Sequence, residues 1–189
     1  MTSNAKPPNA KFKYKSLPPN AKIAIIGGGI SGISTAISLQ KHGYTNVKIY
    51  ERDLGNTKKS DGYGLTISYN DSPKSPLVQL DILQDLLDYN MKSTSHYVFR
   101  YDGVIMGYYG HTDNSTKNNV HIHSDGHKPK IGNIRIQRPL LKKIMIDKLH
   151  PGTIQYNKKL ILLECDGIDQ KNIKVHATFQ DNTREYFDL

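Results

Sequence analysis

A chain of 189 residues with 37% hydrophobic and 23% charged side chains has the makeup of an ordinary globular domain with room for one core. It holds no run of about 20 apolar residues to span a bilayer, its lysine-rich start lacks the apolar stretch of a secretory signal, and its single cysteine, Cys165, excludes an intrachain disulfide. The net charge of +9 does not mark a nucleic-acid surface, because Lys6, Lys11, Lys13, Lys15 and Lys22 all lie in the first 22 residues and the remaining 167 carry about +4 with no dense basic run. The expectation is a cytoplasmic monomer that binds neither nucleic acid nor membrane.

Residues 1–20 carry four prolines among Asn and Lys and read as a disordered basic tail; residues 21–189 read as one domain. Lys22-Ile23-Ala24-Ile25-Ile26 is a short β-branched run without alternation, which suits a strand of a parallel sheet buried on both faces. Residues 30–42 place Ile30, Ile33, Ala36, Ile37 and Leu39 on one helical stripe that Gly43 stops. Asn46–Glu51 is a second strand, completing a βαβ unit. Gly62–Ile67 is a short glycine-flanked strand. Ser75 caps and Pro76 opens one helix carrying Leu77, Leu80, Leu83, Leu86 and Leu87.

A hairpin follows, Tyr97–Tyr101 with Val104–Tyr108 about Asp102-Gly103, and residues 111–130 are a polar loop. Ile134 and Ile136 alternate inward before Arg138, and Pro139 opens a helix bearing Leu140, Leu141, Ile144, Met145 and Leu149. The end is β-rich: Thr153–Tyr156, Lys159–Glu164, and a hairpin of Ile173–Phe179 with Arg184–Phe187 around Asp181-Asn182.

Gly27-Gly28-Gly29-Ile30-Ser31-Gly32 is a G-x-G-x-x-G turn between a strand and a helix. Gly27 permits the tight turn, Gly29 lets backbone approach a pyrophosphate, and Gly32 lets the helix pack close to the strand. The free N–H groups at the helix start supply an anion site. Glu51 closes the second strand 19 residues after Gly32, where an acid accepts from ribose hydroxyls and repels a 2′-phosphate. The βαβ unit alone leaves FAD and NAD both open.

Four stretches together resemble the FAD-dependent monooxygenases of the aromatic-ring hydroxylase group, the tetracycline-inactivating enzymes above all. They are the glycine turn, Val47 through Glu51-Arg52-Asp53, Gly62-Tyr63-Gly64-Leu65-Thr66-Ile67, and Gln137-Arg138-Pro139-Leu140-Leu141. The resemblance covers Ala24 to Leu189 and implies an α/β, Rossmann-like, three-layer FAD/NAD(P)-binding fold with an inserted β-meander. It favours FAD as the cofactor, with NADPH or NADH as transient reductant and oxygen transfer to a small organic substrate.

It also implies that Gly27, Gly28, Gly29, Ile30, Ser31 and Gly32 wrap the pyrophosphate, with Glu51 on the ribose, Arg52 near the adenine end, and Gly64 and Arg138 toward the FAD. Lys58 or Lys59 stands in for a basic loop residue of that group. The acid that the tetracycline-type enzymes place at Thr66-Ile67 is absent. After Leu189 the family continues into a further strand and a substrate sheet, so the chain reads as a fragment, a truncated gene or a short paralogue. Another FAD- or NAD-dependent oxidoreductase and a non-catalytic FAD-binding remnant are the alternatives.

Other constellations carry less. His111, His121, His123 and His127 have no completing ligand set and read as solvated; Tyr97, Tyr101, Tyr108 and Tyr109 read as covering a hairpin face; Cys165 reads as inert core.

Overall fold

The computed structural model describes residues 17–55, 63–91, 95–110, 131–165 and 174–188. Strand β1 (Ile23–Ile26) leads through the glycine turn into helix α1 (Ile30–Lys41), and β2 (Val47–Tyr50) returns parallel to β1 with Ile25 opposite Ile49. Strand β3 (Gly64–Asn70) is followed by two short helices, α2 (Pro76–Gln79) and α3 (Leu83–Asp88), and by the hairpin of β4 (Ser95–Phe99) and β5 (Ile105–Gly110). Strand β6 (Ile131–Gln137) pairs antiparallel with β3 and runs directly into α4 (Arg138–Ile146). Strand β7 (Ile154–Gln155) joins the free side of β2 in parallel, giving the order β1-β2-β7. Strands β8 (Leu160–Cys165), β9 (Val175–Phe179) and β10 (Arg184–Phe187) form an antiparallel meander in the order β10-β9-β8.

The three layers follow from the two-residue alternation of the central strands. On one side, Ile23, Val47 and Ile49 pack with Ile33, Ala36 and Ile37 of α1 and with Leu141, Ile144 and Met145 of α4. Ile134 and Ile136 of β6 are completely buried in the same cluster. On the other side, Tyr50 meets the meander: its ring stacks on Phe179 at 4.7 Å and meets Phe187 edge-on at 5.5 Å, with Ala24 beside them. The Tyr50 hydroxyl donates to Glu185 Oε2 at 3.0 Å, and Lys22 Nζ pairs with the same oxygen at 3.1 Å. Burial pushes the Tyr50 hydroxyl well above its ordinary pKa, and the Glu185 carboxylate adds to the shift.

Several boundaries and environments differ from the sequence expectation. The helix expected from Pro76 is broken in two: Asp81 adopts φ +58°, Ile82 is buried just after the break, and Ser75 makes no side-chain cap. Strand β1 is buried at Ile23 but Ile26 is 48% exposed, because β1 is the edge of its sheet among the described residues. Cys165 is exposed rather than core, since β8 is the outer strand of the meander and Ile161, Leu162 and Leu163 are exposed with it. Tyr101 lies in the hairpin turn, almost fully exposed, not on the strand face.

Residues 17–20, assigned by composition to the tail, belong to the packed body: Leu17 lies against the core and the Pro19 carbonyl accepts from the Thr45 N–H at 3.0 Å. Residues 1–16, Lys58, Lys59, Gly62 and the four loop histidines lie outside the described residues.

Phe179 fills the junction between sheet and meander, so Phe179→Ala should cost about 3–5 kcal/mol of unfolding free energy. Tyr50→Phe should cost only about 1 kcal/mol, by loss of one hydrogen bond. Urea denaturation checks both, and equal losses would show that the aromatic stack is not the joint.

Candidate functional site

The site lies at the carboxyl ends of β1 and β2, where chain topology brings the starts of α1 and α4 to the same edge of the sheet. Gly27 leaves β1 with φ +103°, open to glycine and strained for other residues, and its N–H donates to the Tyr50 carbonyl at 2.9 Å. Gly29 is the N-cap of α1. It offers no capping side chain, and the first turn of α1 holds no acid, so the helix start keeps its positive pole and its donors.

The three motif glycines have different surroundings. A Cβ at Gly32 would come within 2.1 Å of the Gly27 carbonyl oxygen, which is the close helix-to-turn packing expected of the third glycine. A Cβ at Gly29 would meet nothing within 4 Å, leaving an open face at the helix start. Ile30 packs against the core while Ser31 faces solvent.

Glu51 is brought to this turn. Its backbone is fixed by β7 and the loop after it: its N–H donates to the Gln155 carbonyl and its own carbonyl accepts from the Lys158 N–H, both at 2.8 Å. Glu51 is a buried residue, and its carboxylate accepts from the Gly28 N–H at 2.6 Å through Oε2 and from the Asp53 N–H at 3.0 Å through Oε1. Burial alone would raise the carboxyl pKa. The Asp53 and Gly28 N–H groups, the Lys142 charge and the Arg52 N–H together outweigh it and hold the group below its ordinary value.

Arg52 and Arg138 are both exposed. Arg52 lines a polar concavity with Asp53, Asn157, Lys159, Gln180 and Asp181 between the sheet and the meander. Arg138 is the first residue of α4, ahead of Pro139, and its N–H donates to the Tyr63 carbonyl at 3.3 Å. Gly64 pairs with Gln137, so the start of β3 lies against the start of α4. The structure thus gathers the glycine turn with Glu51 and, separately, the start of β3 at Gly64 with Arg138. Lys142 escaped sequence reasoning; its signal was the i, i+4 spacing from Arg138, which puts both cations on one face of α4.

Residues 22–133 match the family described as FAD dependent oxidoreductase. The chain belongs to that family. Among its curated relatives, a polyenoic fatty acid isomerase from Ptilota filicina is 46% identical over 48 residues, 25% of this chain and 9% of that protein. Solved structures share the fold. The tetracycline destructase Tet(51) superposes with TM-score 0.54 at 20% identity, over 90% of this chain and 37% of its own. A 2,6-dihydroxypyridine-3-hydroxylase from Arthrobacter nicotinovorans gives 0.59 at 22%, over 89% and 35%. HpxO from Klebsiella pneumoniae, complexed with FAD and uric acid, gives 0.57 at 20%, over 89% and 38%.

The chain therefore spans little more than a third of the solved chains it matches. The turn combines an uncapped helix start, an open Gly29 face and a carboxylate at the adjoining strand end, a donor set that fits the adenosine diphosphate part of a dinucleotide such as FAD. Among the described residues no group of three or more His, Cys, Asp or Glu could hold a metal ion.

Two outcomes test this geometry. Gly32→Ala should force the turn apart and lower stability by about 1–3 kcal/mol, read as a drop in Tm; an unchanged Tm would mean that the helix does not press on the turn. Because the folded Glu51 pKa lies below its ordinary value of 4.5, its stabilising contribution is present above that value and is lost as pH falls through the folded pKa. Glu51→Gln should flatten this part of the acid limb of a stability–pH curve.

Proposed function

We propose that this chain is the FAD-binding part of a flavin-dependent monooxygenase that acts on a small organic molecule. The observation that carries the proposal is the convergence of the Glu51 carboxylate with the uncapped start of α1 across an open Gly29 face. In this proposal, Gly27, Gly28, Gly29, Ile30, Ser31 and Gly32 form the turn that holds the pyrophosphate, the last four through backbone N–H groups and the helix pole while the N–H groups of Gly27 and Gly28 stay on Tyr50 and Glu51. Glu51 accepts from the ribose, Arg52 borders the adenine end, and Arg138 with Gly64 serves the part of FAD beyond the pyrophosphate. When bound, FAD supplies the redox chemistry, using electrons from NADPH or NADH to reduce O2 and pass one oxygen atom to the substrate.

The hydroxylase among the structural neighbours supports oxygen transfer. The isomerase among the curated relatives favours a second proposal, a flavin reaction in which no oxygen is transferred. No helix among the described residues is long and apolar enough to cross a membrane. We place the protein in the cytoplasm as a monomer.

Purified protein should take up FAD and turn yellow. Glu51→Ala should weaken FAD binding by about 1–3 kcal/mol, since ribose hydroxyls lose an acceptor, and Arg138→Ala by a similar amount through loss of a charged donor. Isothermal titration checks both, and wild-type protein that never binds FAD would overturn the proposal. Oxygen uptake coupled to NAD(P)H oxidation separates the two reaction types.

A further inference from the structure

The pattern G-x-G-x-x-G leaves its second position free, yet in this chain that position is Gly28, and the structure shows what fills the space. Gly28 is buried, and a Cβ there would lie 3.0 Å from Glu51 Oε2 and 3.2 Å from Glu51 Cβ. The Glu51 side chain thus occupies the room that a side chain at Gly28 would need. It also supplies the acceptor for the Gly28 N–H, at 2.6 Å.

The carboxylate is held from both ends. Oε2 engages the turn that follows β1, and Oε1 engages Asp53 two residues further along its own chain. With its backbone fixed by Gln155 and Lys158, Glu51 links the first turn of the nucleotide unit to the second strand. Arg52 and Asp53, both exposed, are the charged residues that follow Glu51 in the chain.

We propose that Glu51 is a clamp that sets the glycine turn in its ligand-accepting shape before a dinucleotide arrives. The inference rests on the assignment of this turn to FAD but concerns the protein without it. A carboxylate already engaged by two backbone donors still has lone pairs for ribose hydroxyls, so the clamp and the ribose contact are compatible. Binding then requires little rearrangement of the turn, which is the way a preformed site lowers the cost of association.

Amide hydrogen exchange on FAD-free protein tests the clamp directly. In the wild type, the Gly28 amide should exchange roughly tenfold or more slowly than the Gly29 amide in the same turn, because a charged acceptor holds it. Glu51→Ala should bring Gly28 to the Gly29 rate. Equal rates for Gly28 and Gly29 in the wild type would overturn the clamp even if FAD binds tightly. A protected Gly28 in a protein that never binds FAD would uphold the clamp and defeat the FAD assignment.

Discussion

Helix α1 passes so close over the turn preceding it that the Gly27 carbonyl oxygen occupies the place of a side chain at Gly32. That contact fixes where the helix starts relative to the end of β1, and so where its positive pole points. The rest of the site is arranged around this start. Gly27 reverses the backbone into it and is tied to the end of β2 through the Tyr50 carbonyl, which places Glu51, the next residue, beside the turn. A shift of α1 outward would separate the helix pole from the carboxylate and leave two unrelated surface features.

Strand β2 serves two layers at once. Val47 and Ile49 seal the helical layer, and Tyr50 seals the meander through Phe179 and Phe187. Because Glu51 immediately follows Tyr50, the aromatic joint that stabilises the meander also anchors the strand end carrying the carboxylate. Stability and ligand geometry are coupled here through adjacent residues. The link from β10 back to Lys22, by way of Glu185 and Asp188, ties the meander to the start of β1 in the same way.

The βαβ unit was legible in the sequence because its signals are local: an apolar run, a glycine turn, a one-sided helix and an acid at a strand end. The inward positions of Ile134 and Ile136 were legible for the same reason. The break between α2 and α3 was not. Leu77, Leu80, Leu83, Leu86 and Leu87 keep a helical period across it, and no glycine or proline marks it; Asp81 takes the left-handed turn, which Asp tolerates better than most residues. The exposure of Cys165 was not legible, because an apolar run does not reveal whether its strand lies at an edge or in the middle of a sheet. The contact of Glu51 with Gly28 depends on the ends of β1 and β2 meeting side by side, which neither spacing nor composition encodes.

The outer position of β8 bears on how the protein behaves in concentrated solution. Ile161, Leu162 and Leu163 are each about half exposed on a strand whose outer backbone edge has no neighbour among the described residues, a combination that invites an incoming strand to stack on it. The charges placed around it act as gatekeepers: Lys158 and Lys159 precede the strand, and Glu164 near its end is paired with Arg184. Colloidal stability therefore leans on a few surface charges, and added salt, by screening them, works toward self-association.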